Sequence, residues 1–380
     1  MATTLAPPKP AAAQPTPRTN GGNGKPRAGG TPVCPANIRE TQIAFGFKPQ
    51  ADLTTPNTEP ELWSMTKTNN TLATVTFNTE DDSQDIGKGD EFPTQQFPTS
   101  IDTAVPVEKF ASSEFLAHEF CFLTGKATKT AAGTGFQYSA VPSDPVANCI
   151  NLPAFTYLEQ IRSQPDSIVD RALIGCVIND FTLTMQSGPG RANCTASANW
   201  VGTGRYASPS GLTVPALTLE HFLNAASAQI TINGIDYILS DSFVSLEFKY
   251  NNNVRLPGGF FPGSGTDANG YAVRGRMQYN NREISLTFVA LAQKGSPEFN
   301  NLVSQHEGPL SVGLTGPIIG AGPDTHGMLI SAPRTVISAV SDGDADGLVT
   351  VNCTVKFLKP TVGSIITMSA TCEQDGILGL

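Results

Sequence analysis

Strict period-two alternation in the stretch Leu173–Tyr206 limits this chain more than any other feature. Phe181, Leu183 and Met185 alternate with Thr182 and Thr184; after the breaker Ser187-Gly188-Pro189-Gly190, Cys194, Ala196, Ala198 and Trp200 alternate with Thr195, Ser197 and Asn199. Because side chains in a strand point to opposite faces in turn, the pattern predicts two strands joined by a turn. Each strand then has an apolar face for a core and a face of hydroxyl and amide groups for water or another subunit. That second face carries almost no charge.

The same alternation recurs. Val244, Leu246, Phe248 and Tyr250 alternate with Ser245, Glu247 and Lys249, and Ile284, Leu286, Phe288 and Ala290 alternate with Glu283, Ser285 and Thr287. Between them lies a Gly- and Asn-rich loop of residues 251–282, whose Phe260, Phe261 and Tyr271 suggest that it docks somewhere. Further strands are expected at Thr41–Phe47, Ala73–Phe77, Gln229–Leu239 with an Asn233-Gly234 turn, Pro309–Leu314, Gly327–Ile330, Thr335–Val340, Leu348–Leu358 and Ser364–Thr371. Gly125–Tyr138 reads as a hairpin. Short helices are expected within Pro106–Leu123 with Ser112 or Ser113 as cap, within Leu152–Val169, over Leu217–Ser227, and from Pro297 to Gln305 with Ser296 as N-cap.

Gly 36 and Pro 29 with only 15% charged residues describe many turns and few charges, against a typical ~25% charged for soluble domains. An all-β protein with extensive covered surfaces fits; a helical enzyme does not. Residues 1–37 are expected to form a disordered Pro/Gly-rich arm, followed by one large β domain over 38–380. The net charge is −9, and since residues 1–32 hold Lys9, Arg18, Lys25 and Arg27 without an acid, the remainder carries −9 − 4 = −13. An acidic body argues against binding the phosphate backbone but suits a surface that nucleic acid passes without sticking. Seven scattered cysteines without a CxxC pair read as reduced and mostly buried, as in a cytosolic setting. Neither a membrane span nor a signal peptide is expected.

Chemistry-bearing motifs are sparse. Walker A, GxSxG and HExxH patterns do not occur. Asp342-Gly343-Asp344-Ala345-Asp346-Gly347 imitates the start of a calcium loop, but position 12 is Cys353 in a strand, so a polar hairpin turn is expected. The acidic run Glu80–Glu91 reads as a solvated loop. His118 reads as a helix-surface residue, and His221, His306 and His326 share no motif with a catalytic partner. Asn-x-Thr triplets at Asn69, Asn193 and Asn352 carry little weight without a secretory signal. No catalytic residue, cofactor or metal is expected, and the protein reads as a non-enzyme.

The chain resembles the tail tube proteins of long-tailed bacteriophages. The resemblance is carried by Asp85-Ile86-Gly87-Lys88-Gly89-Asp90-Glu91-Phe92, the hairpin Asp180–Gly204 ending in Trp200-Val201-Gly202-Thr203-Gly204, the strand Phe243–Tyr250 with its long loop, and Arg282–Gln293 followed by a helix. It implies an orthogonal β-sandwich or barrel with a few short flanking helices, hexameric rings of the chain stacked into a tube, contact with other tail proteins, and passage of DNA during ejection. It also implies a virion-tail location after assembly in the host cytoplasm. On this reading Thr182, Thr184, Thr195, Ser197, Asn199, Ser245, Glu247 and Lys249 face the lumen or a neighbouring subunit, with most of the negative charge toward the lumen. Phe260, Phe261 and Tyr271 bridge to the next ring. The competing expectation is a free-standing β-sandwich binding module of a virion, decorating the capsid or binding a receptor.

Overall fold

The computed structural model describes residues 41–66, 72–84, 92–143, 151–162, 167–188, 190–207, 214–256, 260–261, 263–295 and 297–380. The expected arm, Cys34, Cys149, Asn69–Thr71, the Asp85–Glu91 segment and the Ser296 cap lie outside the described residues. Among those described, eighteen strands and two α-helices make the chain mainly β. In order they are β1 (Thr41–Gly46), β2 (Leu62–Met65), β3 (Thr74–Asp81) and β4 (Gln96–Phe110), then helix α1 (Ser113–Thr124). Next come β5 (Ala127–Ala132), β6 (Gly135–Ala140), β7 (Phe155–Arg162), β8 (Ser167–Gln186), β9 (Cys194–Val201) and β10 (Arg205–Ala207). They are followed by β11 (Ala228–Ile232), β12 (Ile235–Asp236), β13 (Phe243–Asn251), β14 (Glu283–Leu291) and helix α2 (Pro297–Ser304). The chain ends with β15 (Glu307–Ile318), β16 (Thr325–Ala345), β17 (Leu348–Phe357) and β18 (Thr367–Cys372).

Two long strands tie the antiparallel layers together. The first half of β8 pairs with β7 and β10, and its second half with β9 and β13. The change of partners occurs at Gly175, which has φ +70° and whose added Cβ would stand 2.4 Å from the Thr203 methyl. Only glycine fits that bend cheaply. In β16 the corresponding exchange is from β18 to β17, around Pro333-Arg334, where the ladders on both edges skip. A proline costs no ladder bond there.

Helix α1, one of the two short helices, packs against β18, β8 and β6. Ser112 caps it through a bond from the Phe115 amide, and Gly125 ends it in the left-handed conformation at φ 74°. All twelve of its residues are buried, so it has no apolar stripe to betray it. The expected start near Pro106 is corrected: Pro106–Phe110 belongs to β4, because Val105, Val107 and Lys109 point inward together. Lys109 in that inward series disguised the alternation.

Two expected helices are not found among the described residues. Of Leu152–Val169, Phe155–Arg162 forms β7 and the residues from Ser167 begin β8; Tyr157 enters the main core while Leu158 packs with Ala44, Leu62 and Ala172 on the other side. A strand buried on both faces shows no clean alternation. Leu217–Ser227 is an extended strap with a 3-10 turn at Ala225–Ser227, since its amides donate to neighbours: Thr218 to Ser64, His221 to Glu114, and Leu223 to Ala111. The expected hairpins at 125–138 and Asn233-Gly234, the strands at 243–250 and 283–290 and the helix from Pro297 are present. Asp346-Gly347 forms the expected polar turn, both residues at positive φ. No helix among the described residues is long and apolar enough to cross a membrane.

Candidate assembly surface

The eight positions read from the alternation meet on one surface. Thr182 sits opposite Ser197, and Thr184 opposite Thr195. On the other edge of β8, Lys249 pairs with Thr182, Glu247 with Thr184, and Ser245 with Gln186. Directly opposed residues in an antiparallel ladder share a face. The row therefore continues as Glu108–Ser197–Thr182–Lys249–Ser285–Lys356 across six strands. A second row runs Thr195–Thr184–Glu247–Thr287–Thr354. Asn199 lies one step along, opposite Asp180, and its amide donates to that carboxylate at 3.4 Å.

The inner side of the same strands is the main core, including Phe181, Leu183, Ala196, Trp200, Leu246 and Phe248. Burial of that side is what fixes the register, because a one-residue slip would expose it all. On the outer side the two rows hold two acids, Glu108 and Glu247, and two lysines, Lys249 and Lys356, with a 2.7 Å pair between Lys249 and Glu247. These rows thus have no net charge. Exposed carboxylates gather instead at hairpin ends, as Glu80 and Asp81 in β3 and as Asp342, Asp344 and Asp346 at the β16–β17 turn.

At the edge of this surface β3 pairs with β4 and, among the described residues, with no other strand; none of its residues is buried. Phe77 on it is 48% exposed and leans on Tyr206 and Tyr271, with ring centroids 6.2 and 5.4 Å away. The described part of the 251–282 loop packs on its own subunit. Arg274 anchors it by donating to Asp102 at 2.5 Å and to the Leu256 carbonyl at 3.0 Å, and Met277 and Tyr279 pack with Leu152, Val177 and Val201. The Asp102 carboxyl is held below its usual range by bonds from Arg274 and Asn78, which outweigh the opposing burial. Phe260 is half-buried under Arg274, whereas Phe261 is 41% exposed beside Arg276.

Beneath the sheet lies a polar cluster that the sequence did not reveal. Glu114 on α1 accepts from the His221 amide at 2.8 Å and lies 2.7 Å from His221 Nδ1. His326 on β16 stacks on His221 at 3.7 Å and bonds Ser113 through Nδ1 at 2.9 Å. Glu114, His221 and His326 offer the donor set of a divalent-cation site, within 4.8 Å of one another. The stacked rings, only 19° apart, place their Nδ1 atoms 2.7 and 3.5 Å from the same Glu114 Oε1, which His221 already bonds. Burial holds the His326 imidazole below its ordinary range, with the Glu114 charge opposing. His118, expected on a helix surface, is wholly buried: Nε2 lies 3.1 Å from the Gly46 carbonyl and Nδ1 3.0 Å from Glu119, which also accepts from Trp200.

A second buried knot joins Lys109 to Glu220 of the strap; Ser112 and Thr66 also donate to that carboxylate. Within these two clusters His326 Nε2 is buried without a hydrogen-bond partner, while the other groups bond one another. The surface with unused potential is the outer sheet face, its β3 edge and the loop beside it.

A family profile described as phage tail tube protein matches residues 41–357, from the first strand through β17. No curated protein matches the chain. The chain belongs to the phage tail tube protein family, a family of structural components of virion tails.

Proposed function

We propose that this protein forms closed hexameric rings that stack into a tail tube, with the outer face of β9, β8 and β13 lining the channel through which the genome leaves. One observation carries the reading: Thr182, Thr184, Thr195, Ser197, Asn199, Ser245, Glu247 and Lys249 lie on one uninterrupted face whose central rows bear no net charge. A subunit interface of that size would carry more apolar and aromatic groups at its centre. A neutral hydroxyl surface gives DNA phosphates no lysine or arginine cluster to exchange for counterions, so DNA slides. The bare edge of β3 supports ring closure, because pairing it with a neighbour removes an aggregation-prone edge. Assembly takes place in the host cytoplasm with other tail proteins, and the 251–282 loop, with Phe260, Phe261 and Tyr271, lies at the end of the subunit that meets the next ring.

Electron microscopy and sedimentation of the purified full chain test this. Rings or tubes of uniform diameter are expected. Stable monomers or trimers at all concentrations would favour the free-standing binding module instead.

A further inference from the structure

We propose that successive copies stack head to tail by seating the acidic β16–β17 hairpin tip of one copy in an arginine-lined cavity of the next; this contact rests on the tube reading above. The cavity, about 690 Å³, is lined by Arg205, Arg274 and Arg276 with Asp52, Ser264 and Phe261. Its cationic groups are unequally committed. Arg274 is spent on Asp102. Arg205 donates from Nη2 to the Ser264 carbonyl at 3.4 Å, while its Nε is buried with no hydrogen-bond partner. Arg276 is exposed, its guanidinium 5.5 Å from the centre of the Phe261 ring. The one carboxylate in the lining, Asp52, is already held by the amides and hydroxyls of Thr54 and Thr55 at 2.6–2.9 Å. A cavity with free arginine donors in an acidic protein calls for an anionic occupant.

The strand register places the matching group at the opposite end of the subunit. β14 runs from Glu283, beside the loop that carries Arg274 and Arg276, to Leu291, which pairs with Thr350 of β17. Beyond Thr350 the hairpin continues through Val349 and Leu348 to the turn at Asp346-Gly347. At about 3.3 Å per residue, the nine residues of β14 alone hold the two features roughly 30 Å apart. Asp342, Asp344 and Asp346 are exposed there and separated only by Gly343 and Ala345, so the tip is narrow. Leu348 and Val349 behind it are 56% and 63% exposed, an apolar shoulder for the exposed Phe261 of the neighbour. A contact between unlike ends does not close on itself, so it propagates along an axis.

The test uses the full-length chain, by sedimentation velocity and negative-stain microscopy at low and high salt. Arg276→Glu and the pair Asp342→Arg with Asp344→Arg change exposed residues, and unaltered thermal melts confirm their folding. Each reversal is expected to abolish stacking while leaving rings of wild-type diameter, and combining them is expected to restore stacks. Wild-type stacks should also shorten as salt rises. Stacking by both single reversals as in the wild type overturns the contact while leaving the tube reading intact; this includes the case in which Arg276→Glu only weakens retention of added DNA, which would make the cavity a phosphate site. A wild-type chain that forms no rings overturns both.

Discussion

The ion pair between Lys109 and Glu220 gives a quantitative handle on how the sheet is held to the strap that crosses the start of α1. Both side chains are nearly inaccessible, at 2% and 3% exposure. Breaking such a pair by removing one partner leaves a buried charge and costs about 3–5 kcal/mol, whereas replacing both with apolar or neutral groups is often close to neutral. In Lys109→Met, Glu220 keeps donors from Ser112 and from the Thr66 amide and hydroxyl, so the lower end of that range is expected. In Glu220→Gln the ammonium keeps the Met65 sulfur at 3.2 Å and the Phe115 ring at 5.0 Å, and the upper end is expected. Burial already pushes the Lys109 pKa down, against the opposing pull of Glu220. Without that carboxylate the folded state binds the proton less readily than the unfolded one, so the stability of Glu220→Gln rises with pH toward the unfolded lysine value of ~10.4. Urea denaturation at several pH values measures all four corners of the cycle. The double variant is expected within about 1 kcal/mol of wild type, a coupling of several kcal/mol. Single losses below about 1 kcal/mol, or a double variant equal to the sum of the singles, would refute the reasoning.

Other consequences concern the second knot, the strand bend and the thiols. His326 faces Glu114, His221 and Glu373, and its folded pKa is depressed, so its contribution is fully present above the unfolded value of ~6.5 and is lost as pH falls through the folded value. Urea midpoints of the wild type should therefore fall between pH 7 and 5, and His326→Asn should flatten that slope; an unchanged slope contradicts the assignment. Gly175→Ala combines positive φ with a 2.4 Å approach to Thr203 and should cost more than about 1 kcal/mol in the same assay, with a null effect arguing against the bend. Cys176, Cys194, Cys353 and Cys372 are buried with their thiols pushed up to about 12 by desolvation, and Cys121 is raised further. Iodoacetamide at pH 8 should leave these five unlabelled until denaturant is added, and rapid native labelling of any of them would show that the core opens.

What the sequence disclosed follows from how each element is buried. β13 and β14 face a core on one side and a polar surface on the other, so Leu246, Phe248, Leu286 and Phe288 stand out at period two. The hairpin of β8 and β9 was legible for the same reason, and with it five of the eight surface positions. β7 was mistaken for a helix because Tyr157 and Leu158 are both buried, on opposite sides. The strap was mistaken because its Leu and Ala content favours a helix, while its amides are taken by Ser64, Glu114 and Ala111. The alignment of the polar rows through β14 and β17 and the meeting of His221 with His326 depend on long-range pairing that no local spacing encodes. A lysine in the inward series of β4 became intelligible only with Glu220 beside it.

A helical reconstruction of assembled tubes tests the central claim most directly, since it locates the outer face of β9, β8 and β13 in the assembly. The account predicts Thr182, Thr184, Thr195, Ser197 and Asn199 on the wall of the channel, with β3 paired to a neighbouring copy. The same residues on the outside of the tube, with another sheet lining the channel, would contradict it.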